Sequence, residues 1–148
     1  YINYELSSFA KKGYFSKNNS AYWLRKKYVG IGPSAHSFDG TFRSWNVSNN
    51  ALYVKDITNN KMFSGKEKLS IIDQYNEYVM TGLRTYWGIS LTYLENNFGS
   101  SYRNHFEKKV IKYVDSSLVI IKGDVFTTTI KGKFIADGIA SELFLINH

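Results

Sequence analysis

The spacing of apolar positions changes character near residue 60. Beyond it, Ile71, Ile72, Tyr75, Val79 and Leu83 recur at helical spacing on one face, and Gly88 is placed to end that helix. "SLTYLENNFG" follows, with Ser90 positioned to cap a second helix and Gly99 to stop it. Tyr102, Phe106, Val110 and Tyr113 stripe a third. "LVIIKGDVFT" reads as a β-hairpin with Gly123 first in a type II′ turn, and a last helix is predicted over 131–145, carrying Phe134, Ile135, Ile139 and Leu143. Helices followed by a small hairpin make a winged-helix-like module.

Before residue 60 the pattern has no such period. "KKGYFSKNNSAYW" and "GIGPSAHSFDGTFRSWN" are dense in Gly, Asn and Ser, which offer the backbone local alternatives to a helix. Short strands and loops are expected there, with no continuous core. The fold class is therefore α+β, with 1–58 as one part and 64–148 as the other. The segment from about Lys66 to Leu145 is expected to fold alone, with 1–58 poorly ordered or packed through borrowed contacts, and proteases are expected to cut first between Tyr1 and about Asn60.

Composition narrows the chemistry. Zero cysteines exclude disulfides, thiol nucleophiles and Cys-held zinc or iron–sulfur sites within these 148 residues. With 43% apolar and 17% aromatic residues the chain can fold. No apolar run reaches the roughly 18 residues of a membrane span, and the start at Tyr1 without Met or leader points to a piece of a longer polypeptide or to a processed form. The net charge of +7 sits mainly in 1–58, with eight Lys/Arg against three Asp/Glu, whereas 59–148 holds eleven against nine. Arg103, Lys108, Lys109 and Lys112 suggest nucleic acid, but a near-neutral module has little surplus charge for phosphates.

Gly30, Gly32 and Ala35 spell G-x-G-x-x-A after Tyr28-Val29. A dinucleotide fingerprint also needs a crossover helix and an acid about 20 residues on. "HSFDGTFRSWN" offers neither, leaving a glycine turn beside other backbone, or a different adenine-containing ligand. His36 reads as a base, a metal ligand or a packed polar side chain. His105 lies beside an aromatic stripe and His148 is terminal, and no H-x-x-x-H, H-E-x-x-H or G-x-S-x-G spacing occurs. "NNSAYW", Asn18 to Trp23, is either a stacking surface or core.

Four stretches in order, "YELSSFAKKGYFSKNNSAYW", "YVGIGPSAHSF", "GTFRSWN" and "TIKGKFIADGIASELF", resemble the C-terminal part of the radical S-adenosylmethionine proteins related to oxygen-independent coproporphyrinogen III oxidase, closest to their heme chaperone branch. The resemblance implies that 1–58 supplies terminal strands and loops of a partial (β/α) barrel, and that 64–148 is the family's helical C-terminal domain. It places S-adenosylmethionine against Gly30, Gly32, Ala35 and His36. It implies a 4Fe-4S cluster in the full-length parent, heme or a porphyrinogen as partner, possible hemoprotein clients, and a cytoplasmic setting.

The chaperone branch shows H-N-x-x-Y-W where this chain has Asn18-Asn19-Ser20-Ala21-Tyr22-Trp23, so Asn19, Tyr22 and Trp23 are the implied heme contacts. An amide at position 18 is a poor iron ligand. Without cluster cysteines the segment is expected to be non-catalytic on its own, with neither a catalytic residue nor a metal ligand assigned, while the parent resembles an oxidoreductase. The alternative function is a winged-helix-like nucleic-acid-binding or protein-interaction module.

Overall fold

The structure, a computed structural model, describes residues 1–146, so the sequence reading of His148 lies outside the described residues. It divides into two compact units: Tyr1–Trp23 with Ile71 onward, and Leu24–Ser70. This division differs from a boundary between 58 and 64.

The larger unit is built on α3 (Ile71–Arg84), whose Tyr75, Val79 and Leu83 are fully buried. The chain continues through β6 (Ile89–Ser90), α4 (Leu91–Phe98), α5 (Ser100–Asp115), β7 (Val119–Lys122) and β8 (Val125–Thr128). The sheet order β6-β8-β7, all antiparallel, gives the winged-helix-like arrangement that the periodicity anticipated. The Ser90 side chain caps α4 by accepting from Tyr93 N at 3.0 Å. Gly123 takes φ +62 in the two-residue β7–β8 loop, as the first position of a type II′ turn requires.

Asp124, the other turn residue, locks the hairpin to α4. Its carboxylate accepts from Ser90 Oγ at 2.5 Å and from Thr92 N at 3.1 Å. The Ser90 hydroxyl bond, followed by the Thr92 backbone N–H, holds its pKa below the ordinary carboxylate value. An anion at a helix N-terminus is also favoured by the helix dipole.

The last helix departs from expectation. In place of one helix over 131–145, α6 (Ile130–Lys133) and α7 (Ala136–Leu143) are separated by non-helical Ile135, and Phe134 is 86% exposed. Gly132 packs directly on Leu118, where an added Cβ would stand 1.9 Å from the carbonyl oxygen. That contact pins α6, and the turn at Ile135 redirects α7 so that Ala136, Ile139, Ala140 and Leu143 fill the core instead. The Tyr75 hydroxyl donates to Leu143 O at 3.1 Å, and burial pushes its phenol pKa up. The Asn76 amide exchanges two 2.9 Å bonds with the Leu145 backbone.

Residues 1–23 are ordered on this unit, contrary to the expected weakness of the first part. β1 (Ile2–Glu5) pairs with β2 (Ser8–Ala10), and α1 (Lys17–Trp23) follows. Leu6 N donates to Arg84 O and Tyr86 N to Tyr4 O, both at 3.1 Å, and Lys133 Nζ donates to Asn3. These strands share hydrogen bonds with distant elements, which local sequence does not reveal.

The unit Leu24–Ser70 holds β3 (His36–Phe38), β4 (Phe42–Trp45) and β5 (Gly65–Lys68) in an antiparallel sheet, with α2 (Asn50–Thr58) between β4 and β5. The sequence reading missed α2; Asn49, whose side chain accepts from Leu52 N, was its signal. α2 buries no residue, and only Phe38 and Leu69 among the unit's apolar side chains are buried.

Two outcomes follow from this packing. Limited proteolysis should cut first in α2 or the 59–64 loop, because local opening is cheapest where little apolar area is buried; first cuts within 1–10 would contradict the assigned packing. Because the folded Asp124 pKa is depressed, its stabilisation is full above the unfolded value of about 3.9 and is lost as pH falls through the folded value. Asp124→Asn should therefore flatten the acid limb of the stability–pH curve below about pH 5, measured by thermal melts; an unchanged acid limb would refute that role.

Candidate functional site

The glycine stretch is a wide loop closed by an antiparallel bridge, Tyr28 N to Phe38 O and Phe38 N to Tyr28 O, both 2.9 Å. It opens no helix, so the strand–turn–helix context of a dinucleotide fingerprint is not formed. Gly30 lies against the backbone of His36, where a Cβ would stand 2.0 Å from the carbonyl oxygen. The close approach that requires glycine there is internal to the chain. Gly32 differs: φ is +110 and nothing lies within 4 Å of its would-be Cβ, so its backbone borders open space.

Asn46 is the post on which the loop hangs. It is 6% exposed, and its amide donates to Gly32 O at 2.9 Å and Gly30 O at 3.3 Å. Its backbone N donates to Ala35 O at 3.0 Å, and Ser34 N donates to Val47 O at 3.1 Å. Gly30 N donates to Ser37 Oγ at 2.9 Å and Gly32 N to Tyr53 Oη at 3.1 Å. The sequence reading quoted "GTFRSWN" without singling out Asn46; an Asn ending a strand opposite a glycine loop was the available signal.

His36 begins β3, exposed, in register with Trp45, their rings 6.1 Å apart. The two share a concave site of about 340 Å³ with Ser34, Asn46, Ser48 and Ser64. Gly30, Gly32 and Ala35 shape the loop but do not line this concavity. The lining offers hydroxyls, an imidazole and an indole edge, and no formal charge.

The Asn18–Trp23 stretch is helical, in α1, and its residues divide by face. Asn18 and Tyr22, four apart, are exposed; Asn19 and Trp23, four apart, turn inward. Asn19 donates to Tyr4 Oη and Ser8 Oγ, both at 3.2 Å, and accepts from Trp23 Nε1 at 3.0 Å. The Arg84 guanidinium lies 5.2 Å from the Trp23 ring. Tyr22 is 57% exposed.

The remaining candidates have structural partners. His105 Nε2 bonds Leu143 O at 3.2 Å. On α5, Arg103 pairs with Glu95 and Glu107, Lys109 donates to Glu142 O, and Lys112 pairs with Glu142. Among the described residues, no group of three His, Cys, Asp or Glu is placed to hold a metal ion, and no helix is long and apolar enough to cross a membrane.

Asn46→Ala should release two loop carbonyls and cost about 1–2 kcal/mol. Urea melts and faster amide exchange over 30–37 would register it; unchanged exchange in that loop would refute the role.

Residues 69–135 match the family model of the HemN C-terminal domain. The heme chaperone HemW of Bacillus subtilis is 29% identical over 90% of this chain and 36% of its own length. That of Lactococcus lactis is 27% identical over 98% of this chain and 38% of its own. The chain thus spans a little over a third of the curated relatives it matches. The solved coproporphyrinogen III oxidase HemN of Escherichia coli, titled a radical SAM enzyme, shares the fold with a TM-score of 0.62, at 17% identity over 80% of this chain and 28% of that one. The chain is thus similar to the HemN C-terminal domain over residues 69–135 and, over most of its length, to heme chaperones.

Proposed function

We propose that this chain acts within a coproporphyrinogen oxidase-like radical S-adenosylmethionine protein of heme trafficking or porphyrin synthesis, contributing part of the cofactor pocket and the accessory helical unit. The observation that carries the reading is the loop from Gly30 to His36: built on a buried Asn46, it presents Gly32 backbone to open space and an exposed His36 on a concave rim. Residues 1–58 then contribute the edge of the barrel and 64–148 the HemN-type domain, with Tyr1–Trp23 packed in the latter's unit.

S-adenosylmethionine on a 4Fe-4S cluster supplies a 5′-deoxyadenosyl radical. The cluster requires thiolates that these 148 residues do not contain. No cluster step is assigned to this chain, whose part is to bind and orient: Gly30, Gly32 and Ala35 set the loop, and His36 touches the cofactor.

Heme or a porphyrinogen is the assigned cargo, with a hemoprotein client downstream in a cytoplasmic setting. α1 supports this through its outward face. Asn18 is an amide and does not serve iron, while Tyr22 offers a flat phenol; Asn19 and Trp23 hold the helix in place. Against the nucleic-acid alternative stands the pairing of Arg103, Lys109 and Lys112 on α5.

The test uses a polypeptide joining this chain to its cysteine-bearing barrel. His36→Ala should weaken S-adenosylmethionine about ten-fold by calorimetry, the equivalent of one lost contact of roughly 1.4 kcal/mol, and leave the heme absorption band in place. Unchanged cofactor affinity with a lost heme band would reverse the two assignments.

A further inference from the structure

The loop from Gly30 to Ala35 has the letters of an anion-binding turn, yet its backbone donors are spent inside the chain. Gly30 N donates to Ser37 Oγ, Gly32 N to Tyr53 Oη, Ser34 N to Val47 O and Ala35 N to Gly32 O. Pro33 has no N–H to offer. Five of these six residues therefore keep no backbone donor for a ligand, whereas a phosphate cradle needs several converging N–H groups. The concave site beside the loop adds hydroxyls, an imidazole and an indole, with no formal charge. What Gly32 presents to open space is its methylene, which suits an uncharged part of a ligand and not an anion.

Gly32 is clamped at both of its polar groups. Its carbonyl accepts from Asn46 Nδ2 at 2.9 Å, and its N–H donates to Tyr53 Oη at 3.1 Å. Asn46 directly follows β4, and Tyr53 lies in the first turn of α2, whose N-cap is Asn49. At φ +110 a glycine has little steric reason to keep one conformation, so the clamp selects it. α2 itself buries no residue, and its Leu52, Val54 and Ile57 are exposed. The helix adds little to the core, and what it gives the loop is the Tyr53 hydroxyl.

We infer that Tyr53 is a positioning residue: its hydroxyl takes up the Gly32 N–H, fixes the loop, and leaves Gly32 to meet an uncharged part of the ligand through its methylene. The inference rests on the reading of this loop as part of an S-adenosylmethionine pocket. Tyr53 acts through Gly32 and touches no ligand itself. Without the hydroxyl, the backbone at Gly32 is free to turn, and binding then carries the cost of ordering it.

Tyr53→Phe removes one oxygen and keeps the ring. In the 148-residue chain this variant should speed amide exchange at Gly32, and inorganic phosphate should leave the amide signals of 30–35 in the unaltered chain unmoved. In the polypeptide that joins this chain to its cysteine-bearing barrel, Tyr53→Phe should weaken S-adenosylmethionine about two- to ten-fold by calorimetry. Asn49→Ala is the control, since it removes the α2 cap and keeps the hydroxyl. It should lower the melting temperature more than Tyr53→Phe and the cofactor affinity less. An equal or larger affinity loss in Asn49→Ala would make Tyr53 a merely structural part of α2 and overturn the assignment. Unchanged Gly32 exchange in Tyr53→Phe, or phosphate-induced shifts at 30–35, would overturn it too. If His36→Ala weakens the cofactor and Tyr53→Phe does not, the positioning role falls and the pocket reading stands. If neither variant moves the affinity, the pocket reading falls with it.

Discussion

The Arg84 side chain is the junction on which the larger unit's geometry depends. Standing at the end of α3, its guanidinium meets Asp137 of α7 at 2.7 Å and Glu5 of β1 at 3.7 Å, and lies over the Trp23 ring of α1. Glu5 is 3% exposed and also accepts from Ser7 and Ser8. A buried carboxylate without its cation would be costly, since removal of one partner leaves an uncompensated charge. One side chain therefore touches the N-terminal hairpin, the motif helix and the C-terminal helix from the end of the core helix, beside the backbone bonds of Leu6 and Tyr86 and the Lys133–Asn3 contact.

That junction explains why legibility was uneven. Period 3.6 was legible for α3, α4 and α5, because Tyr75, Val79, Leu83, Phe106 and Val110 recur at the helix's own spacing, which the local sequence shows whatever distant element they bury against. The hairpin turn at Gly123 was equally plain, since its backbone demands glycine. The break between α6 and α7 was not, because α6 is seated against Leu118, which precedes β7 and lies close to Gly132 only in the fold. The order of residues 1–23 was hidden for the same reason. Their partners Arg84, Tyr86 and Lys133 lie 60 to 130 residues away, and no local pattern encodes them.

The candidate site was legible as a set of residue types and not as a set of roles. Glycine at 30 suggested close approach to a ligand, and the structure shows it spent on the His36 backbone; Gly32 is the position that faces open space. "NNSAYW" suggested one aromatic surface, yet helical geometry sends Asn18 and Tyr22 outward and uses Asn19 and Trp23 as ties. In both stretches half of the motif builds the scaffold that presents the other half. Asn46 does for the glycine loop what Asn19 does for α1.

Hydrogen exchange on Arg84→Gln tests the account at its centre. The account predicts faster exchange over residues 2–10 and 17–23, with protection retained over 75–83 and 106–113. Retained protection at 2–10, or an equal loss along the whole chain, would contradict the claim that the Arg84 side chain is a principal tie between the N-terminal segment and the helical unit.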